Sequence, residues 1–245
     1  MQPRSAGNSQ PLAASTPAET RIYAIGDIHG RADLLKETLE RLDEDQWRRP
    51  VAYVAEIFLG DYVDRGPDSK DVIDLLAARL VRNSSVCLRG NHEELMESFI
   101  REPSTLNSWL KLGGLQTLTS YGVVPLPSGT ESGDDLRQRF CGAFPRTHQL
   151  FLECLKPWVC CGDYLFVHAG IRPQVPFDQQ TINDVLWIRE EFLNSSLHHG
   201  KYIVHGHTPV AHPDVRPNRI NIDTGAWRSG TLTCAVFEGT SVQFL

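Results

Sequence analysis

Three short segments carry side chains that together could hold metal ions against a phosphate. Ile25-Gly26-Asp27-Ile28-His29-Gly30 sets a carboxylate and an imidazole two apart across a Gly-flanked turn. Ile57-Phe58-Leu59-Gly60-Asp61-Tyr62-Val63-Asp64-Arg65-Gly66 ends an apolar run in Gly-Asp, then adds a second Asp and an Arg. Leu88-Arg89-Gly90-Asn91-His92-Glu93 brings a guanidinium, an amide, an imidazole and a carboxylate. Hard oxygens and imidazoles are the ligands of divalent metals. In two-metal sites the ions sit about 3.5–4 Å apart and clamp the attacking and leaving oxygens of an in-line displacement.

Each residue type then has a role. Asp61 is the candidate shared ligand, because each of its oxygens can take one ion. Asp27 and His29 can both reach one ion, and Asn91 offers a neutral carbonyl oxygen to the other. His168, in Phe166-Val167-His168-Ala169-Gly170, and His207, in His205-Gly206-His207-Thr208-Pro209, would complete the second site. Periodicity alone does not separate His207 from His205. His92 follows Asn91 and cannot easily bind the same ion. It is better placed to protonate the leaving-group oxygen, with Asp64 fixing its other ring nitrogen. Arg65 and Arg89 flank the ligands, where guanidinium forks would bind phosphoryl oxygens. The expected nucleophile is a hydroxide on the metals. Taken singly, each piece has a blander reading. Asp27 could cap a helix, Asn91 and Asp68 could be caps or turn residues, and Asp64-Arg65 could be a weak surface ion pair. His148, His198, His199 and His212 read as surface or packing residues. The joint pattern, five clusters at strand ends, carries the argument.

The elements between the clusters explain why they should converge. Strands are predicted over 21–26, 51–59 and 86–88, with helices over 32–42, from Asp68 or Ser69 to about 80, and over 93–100. A βαβαβα run predicts a right-handed parallel sheet, and open α/β sheets collect ligands beyond the carboxyl ends of their strands. From Ser104 to Pro157 the pattern turns helical around 109–118 and 136–155, with a Pro/Ser/Gly-rich loop over 125–133. No polar cluster marks this stretch, which reads as a cap shaping substrate access. A hairpin turning at Gly162-Asp163, a strand over 202–206 and strands over 219–222 and 232–237 suggest an antiparallel second half.

The whole chain sets limits. Its 245 residues suffice for one α/β domain, read as 21–245. Residues 1–20, rich in Ser, Pro, Ala, Gln and Gly, read as a disordered tail without the apolar core of a signal peptide. No apolar run is long enough for a membrane span. The net charge of −6 argues against a nucleic-acid-coating surface. The six cysteines lack zinc-knuckle spacing. They read as buried or half-buried free thiols, including the adjacent Cys160-Cys161, which fits a reducing compartment. A cytoplasmic monomer with no nucleic-acid or membrane partner is the expectation.

The motifs also resemble a known family. GDIHG (26–30), GDYVDRG (60–66) and RGNHE (89–93) are similar to the three signatures of the phosphoprotein phosphatase branch of the calcineurin-like metallophosphoesterases. VHAG (167–170) and HGHTP (205–209) resemble its two later His motifs, and WIREEF (187–192) and NRINIDTGA (218–226) resemble segments of bacterial and phage serine/threonine phosphatases. The resemblance runs from about Arg21 to the C-terminus. It implies an α/β fold, a four-layer αββα sandwich with a helical cap at 104–157. It also implies two divalent ions, with manganese expected and iron, zinc and magnesium drawing on overlapping ligands. Carried over by motif, Asp27, His29 and bridging Asp61 would hold one ion. Asp61, Asn91, His168 and His207 would hold the other, since the family ligand follows the Gly. His92 and Asp64 would be the acid dyad, and Arg65, Arg89 and Arg189 would bind phosphate.

The function implied is hydrolysis of phosphoserine and phosphothreonine in a phosphoprotein or phosphopeptide, with tyrosine and histidine phosphoesters open. A cousin branch cleaves diadenosine tetraphosphate symmetrically, but its second motif typically lacks the Asp found here as Asp64. Under that alternative Trp109, Tyr121 and Phe140 are the candidates to stack adenine. An inactive phosphoprotein-binding module is the alternative of another class, and a nucleic-acid phosphodiesterase is weaker still.

Overall fold

The computed structural model describes residues 10–11, 14–126 and 131–245, the first two by backbone alone. Strand β1 (Gln10–Pro11) precedes β2 (Thr20–Ile25), helix α1 (Ala32–Arg48), β3 (Tyr53–Phe58), α2 (Ser69–Arg82), β4 (Ser85–Cys87) and α3 (Asn91–Arg101). β2, β3 and β4 pair in parallel, as the βαβαβα pattern predicts. Helices α4 (Leu106–Leu110), α5 (Gly114–Ser120), α6 (Gly133–Ala143) and α7 (Arg146–Cys154) follow. The two helical stretches predicted here are each broken once. Gly113 adopts φ 108° between α4 and α5, and Pro145, extended at φ −65° and ψ 149°, separates α6 from α7. A proline disfavours helical backbone in the residue before it. Residues 127–130 of the expected loop lie outside the described residues.

The remaining elements are β5 (Trp158–Cys161), β6 (Tyr164–Val167), α8 (Ile182–Trp187), α9 (Glu190–Leu193), β7 (Tyr202–His205), β8 (Asp214–Val215), β9 (Arg219–Asn221), α10 (Ala226–Ser229), β10 (Cys234–Glu238) and β11 (Ser241–Phe244). The antiparallel reading of this half is corrected. β6, β7 and β9 are parallel, because α8 and α9 carry the chain back before β7 begins. Only β5 and β8, at the edges, run antiparallel. β10 leaves this sheet and pairs antiparallel with β2.

Two sheets result, in the orders β1-β11-β10-β2-β3-β4 and β5-β6-β7-β9-β8. Side-chain alternation stacks them. On β2, Ile22 and Ala24 join Tyr164 and Phe166 of β6 and Tyr202 and Val204 of β7 between the sheets. Tyr23 and Ile25 face α1 and α2, packing with Leu35, Leu42, Val72 and Leu76. Leu165, Val167 and Ile203 point to the other side, against Val185, Leu186 and Phe192 of α8 and α9. The layers are therefore αββα.

The expected tail is also corrected where it is described. β1 pairs with β11, the Ala14 carbonyl accepts from the Tyr164 hydroxyl at 3.1 Å, and Ser15 donates to Asp163 from both its amide and its hydroxyl. These contacts offset the chain entropy that low hydrophobicity would otherwise leave uncompensated. Residues 1–9, 12 and 13 lie outside the described residues. Cys154 and Cys160 are exposed free thiols, not buried ones. Among the described residues no helix is long and apolar enough to cross a membrane.

Glu56 locks β3, which lies between β2 and β4. Its buried carboxylate accepts from Arg79 at 2.8 and 2.7 Å, Ser85 at 2.7 Å, Asn83 at 3.0 Å and Gln46 at 3.2 Å. Burial alone would raise its proton affinity, but the Arg79, Ser85 and Asn83 bonds outweigh it and hold the carboxyl below its ordinary value. Its contribution is thus complete above the unfolded-chain pKa and lost as pH falls through the lower folded value. Glu56→Gln should cost about 3 kcal/mol near neutral pH by strand-to-helix unpairing. In denaturant unfolding, the gap between wild type and variant should shrink as pH drops below about 4.5.

Candidate metal centre and active site

Every ligand-bearing segment leaves the carboxyl end of a parallel strand. Asp27 and His29 follow β2, Asp61 and Asp64 follow β3, and Asn91 and His92 open α3 after β4. His168 follows β6 and His207 follows β7. The strand ends face each other across the sheet interface, and two glycines allow the approach. A Cβ on Gly60, whose φ is 106°, would lie 2.7 Å from the Gly90 nitrogen and 2.9 Å from His168 Nδ1. A Cβ on Gly90 would lie 2.2 Å from Asp61 Oδ1.

Asp61 is the hub. Its Oδ2 lies 3.4 Å from His29 Nε2 and its Oδ1 3.4 Å from His168 Nε2. His168 Nε2 and His207 Nδ1 are each 2.9 Å from Asn91 Oδ1. Among the described residues two sets gather candidate ligand atoms within 4.8 Å of one another, His29 with Asp61 and His92, and Asp61 with His168 and His207. Asp27 joins through the backbone: its carboxylate accepts from the His207 amide at 3.1 and 3.3 Å. All of these side chains are buried.

The donor set fits divalent cations. His29 Nδ1 donates to the Val63 carbonyl at 2.9 Å, and His168 Nδ1 donates to the Leu59 carbonyl at 2.9 Å. Each ring is thereby fixed as the tautomer whose Nε2 lone pair faces the Asp61 carboxylate. Lone pairs converge on carboxylate and amide oxygens, an arrangement that a cation between them satisfies. His207 Nε2 is buried with no hydrogen-bond partner among the described residues, as a nitrogen kept for a cation would be. Asp27, His29 and Asp61 would hold one ion, and Asp61, Asn91, His168 and His207 the other.

Electrostatics separate the imidazoles into two kinds. Burial lowers the proton affinity of His29 far below its usual value, with the His92 charge next. Burial likewise lowers His168, and brings His207 down to about 2 with help from His168. These rings are neutral, as metal ligands must be. His92 differs. Burial opposes its proton, but the Asp61 charge and the Asp64 hydrogen bond outweigh burial and raise its pKa. Proximity alone would group His92 with the ligands; its charge balance and its bond to Asp64 set it apart from the other three rings. Asp61 shows the complementary effect: burial raises it, yet His168, His92, His29 and His207 pull it well below the ordinary carboxylate range. Asp27 is driven the other way by burial and then by Asp223 and Asp61.

The dyad is formed. His92 Nδ1 donates to Asp64 Oδ2 at 2.7 Å, and its Nε2 faces Asp61 Oδ2 at 3.9 Å. Asp64 and Arg65 both adopt left-handed backbone, φ 71° and 69°, a strain found at functional turns. Half-buried Arg65 donates to His29 Nε2 at 3.0 Å. Arg189 is exposed, and its charge disfavours protonation of His168 and His207. Arg89 is not brought to the cluster. Its guanidinium pairs with Glu97 and donates to the Leu152 carbonyl at 3.0 Å. Phosphate binding by Arg89 is therefore not supported by its placement, because the side chain leaves the strand end toward α7.

Some residues at the site carried no signal in the reading of roles. Glu93 accepts from the backbone of Asp61, Tyr62, Val63 and Gly90. Asp223, pushed up to about 6 by burial, accepts from Gly225 at 2.8 Å and lies near Asp27. Its setting, Ile222-Asp223-Thr224-Gly225 after an apolar strand, repeats the strand-end Asp pattern and could have flagged it. His205 is separated from His207 by packing: its ring lies 5.0 Å from Phe192 and near Arg219.

His92→Asn tests the division between ligand and acid. Metal content should stay at the wild-type level while turnover of an alkyl phosphate falls by about 10²–10⁴-fold. Unchanged turnover with unchanged metal would remove His92 from the chemistry.

The calcineurin-like phosphoesterase family model matches residues 20–228. The asymmetrical bis(5'-nucleosyl)-tetraphosphatase PrpE of Oceanobacillus iheyensis is 29% identical over 235 residues, covering 89% of this chain and 88% of that protein. Serine/threonine-protein phosphatase 1 of Salmonella typhimurium is 28% identical over 228 residues, 87% of this chain and 90% of that protein. A solved structure of a cold-active protein tyrosine phosphatase matches with a TM-score of 0.63 over 91% of this chain and 77% of that one; at 17% identity it speaks to the fold alone. The nucleotide relative is an asymmetrical enzyme, not the symmetrical kind anticipated from sequence. With a family model over most of its length, and with His and Asp groups suited to metal at its strand ends, the chain belongs to the calcineurin-like phosphoesterases, hydrolases built around a dinuclear metal centre.

Proposed function

We propose that this phosphoesterase removes single phosphoryl groups from phosphoserine and phosphothreonine in proteins. The observation that carries this reading is the fate of the cap aromatics. Trp109, Tyr121 and Phe140, the candidates to stack adenine, are 0%, 7% and 0% exposed and pack on one another in the core. The cap offers no base platform from these rings, and the centre has groups that would serve a phosphomonoester. Two divalent ions held there would supply Lewis acidity and a nucleophile from water near neutral pH. Arg65 and Arg189 would take the phosphoryl oxygens and oppose their growing charge. His92 would pass its Nε2 proton to the departing serine or threonine oxygen, leaving a neutral alcohol, while Asp64 holds Nδ1 and stabilises the imidazolium beforehand.

A second reading is hydrolysis of a dinucleoside polyphosphate. It is favoured by Trp227, 37% exposed, whose ring lies 5.4 Å from the Arg65 guanidinium and 5.9 Å from that of Arg228. An exposed indole beside a phosphate-binding arginine could take a base, although both guanidinia already use it.

Metal-stripped protein given manganese should release phosphate from a phosphothreonine peptide and cleave diadenosine tetraphosphate poorly. The reverse preference would move the substrate to nucleotides, and the products, ATP with AMP or ADP alone, would give the sense of cleavage. Activity on neither would favour a phosphoprotein-binding module.

A further inference from the structure

The helical segment between α3 and β5 touches the acid dyad directly. Asp64 is 0% exposed. Besides His92, its carboxylate is met by two side chains of that segment. Trp109 Nε1 of α4 donates to both oxygens, at 3.0 and 2.9 Å, and Thr117 Oγ1 of α5 donates to Oδ1 at 2.6 Å. The Thr117 hydroxyl also accepts from the Asp64 amide at 2.8 Å. A third contact is in the backbone, where the Gly113 carbonyl accepts from the Arg65 amide at 3.2 Å.

We propose that Trp109 and Thr117 are positioning residues for the general acid, so that the segment expected only to shape substrate access completes the catalytic apparatus. The proposal rests on the phosphomonoesterase reading, in which His92 protonates the leaving group. A buried carboxylate must have its lone pairs satisfied. Here neutral donors do so, and among the described residues no arginine or lysine pairs with Asp64. Its charge therefore stays available to one partner, the His92 imidazole, and the donors fix the direction in which it acts. A cation in their place would compete with His92 for the carboxylate.

Packing makes the arrangement rigid. The Trp109 ring stacks on Phe99 at 5.2 Å and lies 5.8 Å from Phe140. A Cβ on Gly114 would lie 2.5 Å from the Trp109 ring, so backbone closes over the indole. Ser69 Oγ, 3.0 Å from the Thr117 hydroxyl, ties the same network to α2. The indole and hydroxyl are thus held in place before substrate arrives, which is the condition for orientation to help catalysis.

Trp109→Phe and Thr117→Val each remove a donor, and Thr117→Ser keeps one. The test compares two esters: a phosphothreonine peptide, whose alkoxide needs a proton, and p-nitrophenyl phosphate, whose phenolate leaves without one. With melting temperature and metal content tracked, Trp109→Phe and Thr117→Val should lose about tenfold or more in kcat on the peptide. KM should hold, p-nitrophenyl phosphate should be hydrolysed within about twofold of wild type, and Thr117→Ser should recover peptide turnover. Equal losses on both esters, or no loss on the peptide, would overturn the proposal. His92→Asn serves as the reference. If it discriminates between the esters and the Trp109 and Thr117 variants do not, positioning fails while the acid stands. If His92→Asn does not discriminate either, the acid itself is misassigned and the proposal falls with it.

Discussion

The buried Glu93 carboxylate is the interaction on which the site depends. It accepts from the amides of Asp61 and Gly90 at 2.9 Å each, of Tyr62 at 2.7 Å and of Val63 at 3.3 Å. One side chain on the first turn of α3 thereby closes the turn after β3 onto the start of the helix after β4. That closure puts Asp61, at φ 54°, where both ligand sets can share it. Burial and the Asp61 charge push the Glu93 carboxyl up to about 7, and the amides pull against them. Hydrogen bonds to an ionised group are stronger than neutral ones, so the cradle is coupled to the charge of the centre it supports.

The rest of the site repeats this logic across the sandwich. Each sheet alone has only part of the ligand set: β2, β3 and β4 deliver Asp27, His29, Asp61 and Asn91, and β6 and β7 deliver His168 and His207. The sheets are joined by direct contacts between functional segments, as when the Asp27 carboxylate takes the His207 amide and the Leu59 carbonyl takes His168 Nδ1. The result is a concentration of buried acids, Asp27, Asp61, Glu93 and Asp223, with neutral imidazoles around them. Such a concentration of negative charge is unfavourable by itself, and it explains why the fold and the metals belong together.

Much of this was legible in the sequence because the information was local. A candidate ligand beside the Gly that lets it approach, at the end of an apolar run, needs no knowledge of distant residues, so Asp27, His29, Asp61, Asn91 and His168 stood out by local pattern, while His207 needed the family resemblance because His205 flanks the same Gly. The direction of a long side chain is not local. Arg89 sits in a motif as clear as the others, yet Glu97 and the Leu152 carbonyl draw it away. The partners of Asp64 were hidden for the same reason, since Trp109 and Thr117 lie far along the chain in helices with ordinary apolar spacing. Strand partners were hidden too. The pattern of β10 says that it is a strand, but not that it crosses to β2.

In this centre one carboxylate, Asp61, would be shared by two cations. Manganese titration of the metal-stripped protein, with bound metal counted by elemental analysis and folding followed by thermal melting, tests it most directly. Two ions per chain are expected, with a melting temperature that climbs as they bind, and both ions should be lost in Asp61→Asn. A single ion in the wild type, or two ions retained without the Asp61 carboxylate, would contradict it.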